Sequence, residues 1–116
     1  MAFVPDRGHF VWLTFDPQAG HEQAGRRPAL VISPRSYNSK AGLLLACPVT
    51  GKAKGYPFEV AIPAGLSVSG VILADQLRSL DWQARQAAHI CSAPVEVVAE
   101  AIAKAGTLLQ VSGGPA

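Results

Sequence analysis

The sequence predicts a small, mainly β fold: a twisted barrel with one C-terminal helix packed on it. Three features carry the prediction. Short apolar runs rich in Val, Ile, Leu and aromatics recur as far as Cys91, with Gly, Pro, Asn or Ser between them. The stretch after Cys91 changes to helical spacing. The chain has 116 residues, 49% of them hydrophobic and 16% charged, which suits one domain, not two, and gives no sign of a disordered chain.

The expected strands are His9–Phe15, Ala29–Ser33, Leu43–Val49, Phe58–Ile62, Val71–Ala74, Leu77–Leu80 and Ala87–Cys91. Residues 34–42, PRSYNSKAG, read as a turn-rich crossover with one helical turn. In the closing segment Val95, Val98, Ile102, Ala105 and Leu109 fall at helical spacing, which makes them the expected buried stripe. Ser92 is the expected cap and Pro94 suits the first turn. Glu96 and Glu100 lie toward the positive end of the helix dipole and Lys104 toward the negative end. Gly106 weakens the helix by about 1 kcal/mol relative to Ala. Residues 112–116 read as a frayed tail, and no repeat or linker divides residues 1–116. One helix on a half-open barrel leaves an apolar face over, which a homodimer would cover.

No apolar run is long enough to span a bilayer, and MAFVPDRGH lacks the apolar centre of a signal peptide, so a cytoplasmic protein without a membrane partner is expected. Cys47 and Cys91 are far apart and form no CxxC; two buried thiols are expected. His9, His21 and His89 have no metal-ligand spacing, so no metal or other cofactor is expected. Net charge is only +2, too low for binding nucleic acid by bulk charge. Yet Arg26, Arg27, Arg35, Lys40, Lys52 and Lys54 fall within residues 26–54 and would make one face locally basic.

The densest polar stretch is GHEQAGRRP, residues 20–28, set between apolar segments. Gly20 and Gly25 loosen the backbone, and Pro28 pushes Arg27 into an extended conformation. Arg27 is then the first strand residue, with a defined side-chain direction; Arg26 points the other way and belongs to a mobile loop. A guanidinium matches phosphate geometry and stays charged, while Glu22 and His21 can move protons. Phosphate clamp plus proton shuttle is what RNA needs for cleavage by its own 2′-hydroxyl. A solvated hairpin loop with Glu and Arg paired is the other reading of the same residues.

Two further segments bear on this. In CPVTGKAKGYPFEV, Thr50 can donate to a phosphate oxygen, Lys52 and Lys54 bind phosphate by charge, and Tyr56 can stack on a base. A structural turn is the alternative. In GVILADQLRS, Asp75 and Gln76 interrupt an apolar strand pair, followed by Arg78; Asp75 is either a solvated edge residue or a proton acceptor facing a groove.

Taken together, VPDRGHFVWLTFDPQAGHEQAGRRPALVISP, YNSKAGLLLACPVTGKAKGYPFEV, GVILADQLRSLDW and the helix after Pro94 resemble the MazF/PemK family of toxin endoribonucleases, over roughly residues 4–110. The resemblance implies an SH3-like barrel of the CcdB/PemK type with a C-terminal helix, working as a homodimer. It implies metal-independent cleavage of single-stranded RNA at short motifs, mRNA among them, leaving 2′,3′-cyclic phosphate and 5′-hydroxyl ends. It also implies a MazE-like antitoxin whose flexible acidic tail lies in the RNA groove. The family's catalytic arginine falls on Arg27 and its catalytic threonine on Thr50. Arginine's pKa of roughly 12.5 or more makes it a poor general base, so Arg27 is assigned to phosphorane stabilisation and Glu22 becomes the first candidate base. His21 and Asp75 match a His/Asp shuttle of the PemK branch, but Leu73 stands where that branch has an arginine, so both rank below Arg27. RNA contacts are expected from Gln23, Gly25, Arg26, Lys52, Lys54, Tyr56, Gln76 and Arg78.

Two rival readings share the fold. A CcdB-like gyrase poison acts through its C-terminal residues; here the tail is VSGGPA, without an aromatic. A non-catalytic RNA-binding module could use the same residues to hold RNA without cutting it.

Overall fold

The computed structural model describes residues 3–17 and 19–111. Its first hairpin joins β1 (His9–Thr14) to β2 (Arg26–Val31), with Leu13 opposite Arg27 and Thr14 opposite Arg26. Arg26 is thus a strand residue, where the sequence suggested a mobile loop. A helix, α1 (Arg35–Ala41), leads to β3 (Leu43–Thr50). It is fuller than the single turn expected. Pro34 starts it, Gly42 ends it in the left-handed region at φ 70°, and the buried Asn38 anchors it. Asn38 Nδ2 donates to the Pro5 and Ser33 carbonyls, and its own carbonyl accepts from Trp82 Nε1.

Next come β4 (Glu59–Ala61), β5 (Val71–Leu73), a 3₁₀ turn (Ala74–Gln76), β6 (Arg78–Asp81), β7 (Ala88–Ser92) and α2 (Val95–Thr107). The seven strands form one antiparallel sheet in the order β4-β5-β3-β2-β1-β7, with β6 also paired to β3. The path ends at β4 and β7, so the barrel is left open. Along the edge of β3 away from β2, residues Leu43–Ala46 pair with β6, and Val49 and Thr50 pair with β5. The 3₁₀ turn bridges these two partners. It takes Ala74, expected in the strand, out of the ladder and carries Asp75 and Gln76 past the end of β3.

Alternating strand residues serve two cores. Val11, Leu13, Ala29, Val31 and Leu44 pack with Phe15 and Trp82 on one face. Phe10, Leu30, Cys47, Val49 and Ile72 pack on the other, beneath α2. Fully burying a side chain such as Phe10 or Leu30 contributes roughly 1.5–3 kcal/mol.

The buried stripe of α2 is Val97, Ala101 and Ala105, so only Ala105 of the expected stripe is buried. The two alanines let the helix approach the sheet closely. Val95 and Leu109 are instead 82% and 74% exposed. Val95, Val98 and Ile102 line a hollow of about 420 Å³ against Gly8 and His9. Ser92 ends β7 and does not cap; Pro94 holds the N-cap position, and its carbonyl accepts from Val97 N and Val98 N. The thiols are free, Cys47 buried and Cys91 only half-buried. Among the described residues no helix is long and apolar enough to cross a membrane. The expected tail, 112–116, lies outside the described residues.

Candidate functional site: a basic groove at the loop end of the β1–β2 hairpin

The β1–β2 loop, the end of β3, the β3–β4 loop and the 3₁₀ turn enclose a groove of about 480 Å³. Its centre is Arg27. The strand period sends Arg26 and Arg27 to opposite sides. Arg27 Nε donates to the Ala24 carbonyl at 2.8 Å, and Nη1 donates to the Val49 carbonyl at 3.0 Å. The guanidinium is therefore tied to the peptide just before Thr50. The rest of its five-donor fork is left for an anion in the groove. Thr50 Oγ1 accepts from Lys52 N at 3.2 Å, which orients the hydroxyl and leaves its proton to donate.

Lys52, Lys54 and Tyr56 line one side, with Tyr56 50% exposed and its ring 5.9 Å from that of Phe58. Asp75 and Gln76 line another, brought there by the 3₁₀ turn. His21 and Gln23 close the third. Asp75 also bears on the core behind the groove: burial first, and then the Asp75 charge, push the Cys47 thiol up to about 12, so Cys47 stays neutral.

Four expected site residues lie outside the groove lining. Arg26 donates to Thr14 Oγ1 and to the Arg85 and Gln86 carbonyls, which fixes it on the opposite side of the hairpin. Gly25 closes the base of the loop: its carbonyl accepts from Phe15 N, and its N–H donates to Asp16. Glu22 Oε1 stands 3.9 Å from Arg78 Nη1, beside the groove rather than in it. Arg78 lies with its guanidinium 5.9 Å from the Phe15 ring centre.

The sequence reading missed Glu59 and Leu73 as lining residues. Glu59 takes Lys54 N at 3.0 Å on Oε2 and Gly55 N at 3.1 Å on Oε1, and so clasps the β3–β4 loop. A readable signal existed, a glycine followed four residues later by a carboxylate. Leu73, which lines the groove, stands in the sequence only as a departure from the PemK branch.

Residues 6–109 match the family model of PemK-like, MazF-like toxins of type II toxin-antitoxin systems. The chain belongs to this family. It is 53% identical to the Escherichia coli K12 endoribonuclease toxin MazF over 85 residues, 73% of this chain and 76% of that protein. It is 32% identical to the E. coli endoribonuclease PemK over 90% of this chain and 81% of that one. Among solved structures, MazF from Deinococcus radiodurans superposes with a TM-score of 0.91 at 63% identity, covering 93% of this chain and 98% of that one. A MazE-MazF complex from the same organism matches with a TM-score of 0.84 at 56% identity over 96% and 100%. The fold of this MazF-like toxin is thus the open SH3-like barrel with its C-terminal helix, and the groove lies where GHEQAGRRP and PVTGKAKGY meet.

Proposed function

We propose that this toxin is a cytoplasmic endoribonuclease that cuts single-stranded RNA, mRNA included, by metal-independent attack of the 2′-hydroxyl on the adjacent phosphate, leaving 2′,3′-cyclic phosphate and 5′-hydroxyl ends. The bond from Arg27 to the Val49 carbonyl carries the reading, because it sets a rigid guanidinium one peptide away from the Thr50 hydroxyl. Such preorganised donors stabilise the charge that develops on the phosphorane. Proton acceptors are at hand in His21 and Asp75 within the groove and in Glu22 beside it. Lys52 and Lys54 draw in the phosphate backbone, and Tyr56 offers a face on which an unpaired base can stack.

The same basic groove suits the acidic tail of a MazE-like antitoxin, a partner supported by the MazE-MazF structures among the relatives. The outward apolar stripe of α2 supports a homodimer.

The test is incubation of the purified protein with a long single-stranded RNA in excess EDTA, with the cut ends mapped. Discrete cuts with the stated ends are expected. Arg27→Ala should lower the rate by about 10²–10³ and RNA affinity far less. Thr50→Val should lower cleavage without unfolding the protein. Intact RNA from a folded wild-type protein that still binds it would leave a binding module instead.

A further inference from the structure

We propose that Gln76, expected from sequence to touch RNA, is a positioning residue: its side-chain amide holds the β1–β2 loop by the backbone on either side of Glu22 and so sets where His21 and Glu22 stand. Gln76 Oε1 accepts from Gln23 N at 3.1 Å, and Nε2 donates to the His21 carbonyl at 3.3 Å. The amide thus bridges residues 21 and 23 as the backbone of a neighbouring parallel strand would. Its orientation is unambiguous, since the flipped amide would set donor against donor and acceptor against acceptor. Both heteroatoms are engaged with a segment more than fifty positions away in the chain.

The anchor for this clamp is firm. Gln76 ends the 3₁₀ turn, whose first residue, Ala74, is fully buried and donates its N–H to the Phe58 carbonyl at 3.1 Å. Two residues on, Arg78 Nη1 stands 3.9 Å from the Glu22 carboxylate, so the same short segment adds charge attraction to the backbone bonds. Fixing a long Gln side chain costs rotamer entropy, which two bonds to one peptide segment offset better than one. A loop held this way presents its proton-transfer groups in a fixed place. Small misplacements there are costly to rate: about 1 Å can cost 10²-fold.

The catalytic half of this inference rests on the ribonuclease reading; the mechanical half does not. The experiment therefore has two readouts. Amide hydrogen exchange at Gln23 is compared between the wild-type protein and Gln76→Ala, without RNA. Single-turnover cleavage of a single-stranded oligonucleotide carrying the mapped cut site gives rate and apparent affinity. Exchange at Gln23 should speed up by about tenfold or more in Gln76→Ala. The saturated rate should fall by roughly 10–100-fold while affinity stays within about threefold. Gln76→Glu keeps the acceptor for Gln23 N and loses the donor to the His21 carbonyl, so it should fall between the two. Unchanged exchange would overturn the clamp. Faster exchange with an unchanged rate would overturn the positioning role, as would weakened RNA binding at an unchanged rate, which is the signature of an RNA ligand. If the wild-type protein cuts no RNA, the ribonuclease reading fails, and the exchange result alone upholds or overturns the clamp.

Discussion

The two loops that wall the groove are braced in opposite ways. The β3–β4 loop is held from within its own neighbourhood: Glu59 gathers the amides of Lys54 and Gly55, five and four residues back. Lys104 of α2 then pins the Glu59 carbonyl at 2.7 Å. The β1–β2 loop is held from afar in sequence, by the two hydrogen bonds of Gln76 at the end of the 3₁₀ turn, with Arg78 at the start of β6 standing 3.9 Å from Glu22. A locally clasped loop is a stable carrier for lysines and an aromatic, which only need to be present and charged or flat. On the proposed function the β1–β2 loop carries the proton-transfer groups and must be registered against Arg27 and Thr50; the Arg27–Ala24 bond sets its base, and Gln76, on a segment that abuts the end of β3, sets its middle.

Both walls depend on a shared floor, and the largest expected effect comes from breaking it. Gly70 adopts φ +109°, and a Cβ there would stand 2.2 Å from the Thr50 carbonyl oxygen. Neither the backbone of β3 nor that of β5 can give way without shifting Thr50. Gly70→Ala should destabilise the protein by about 2–4 kcal/mol. At a temperature where the variant is still folded, cleavage should be reduced on the order of 100-fold, because Thr50 moves relative to Arg27. Denaturant unfolding with a cleavage assay on the folded variant checks this. A variant of wild-type activity would show that the floor tolerates movement that the walls do not.

How much of this was legible beforehand follows from the same division. Short apolar runs and the turn residues between them located all seven strands to within a few positions, and the helical spacing after Pro94 located α2, because those signals are local. Arg27 beside Thr50 came from Pro28 and a resemblance, and the register of the β1–β2–β3 ladder puts both in one groove. What escaped was non-local. The choice between Val97–Ala101–Ala105 and the bulkier stripe of α2 depends on how closely the sheet approaches, which no periodicity states. Arg26 was read as mobile because its partners, the Arg85 and Gln86 carbonyls, lie some sixty residues on. Gln76 was read as an RNA contact because nothing near it in sequence shows that its amide is already engaged.

A middle-sized effect sharpens the contrast between the walls. Glu59→Ala removes the clasp on Lys54 and Gly55 without touching the β1–β2 loop. RNA binding should weaken by about 3–10-fold, since the loop must now be ordered on binding, while the saturated rate changes less than about twofold. This is the reverse of the pattern expected for Gln76→Ala. Single-turnover titrations of the two variants on the same oligonucleotide make the comparison. Matching patterns in the two would mean that the walls are not functionally distinct.

The smallest effect separates the groove from the far end of β1. There His9 packs edge-on against His89, with ring centres 4.7 Å apart, and its Nδ1 accepts from Asp6 N at 3.1 Å. Burial, and then the charge of His89, hold His9 below the ordinary histidine value, while Asp6 works the other way. The folded state therefore resists a proton that the unfolded chain takes up readily. Above about pH 6.5 neither state is protonated and His9 has no effect on stability. As the pH falls below that value the unfolded chain binds the proton first, so stability declines until the folded value is passed. His9→Gln keeps an acceptor for Asp6 N but does not titrate, and should flatten the decline between pH 6.5 and 5 in denaturant unfolding. Asp6 acts in a lower window. Backbone donors from Arg35 and Arg7, with the Arg35 charge, hold its carboxyl below the ordinary aspartate value despite partial burial, so its contribution is lost only in stronger acid. Because His9 and the groove sit at opposite ends of β1, the substitution should leave the pH dependence of cleavage unchanged. A pH–rate profile that moved with His9→Gln would show that the loop on which His21 stands responds to the far end of the strand, and that its bracing extends beyond Gln76 and Arg78.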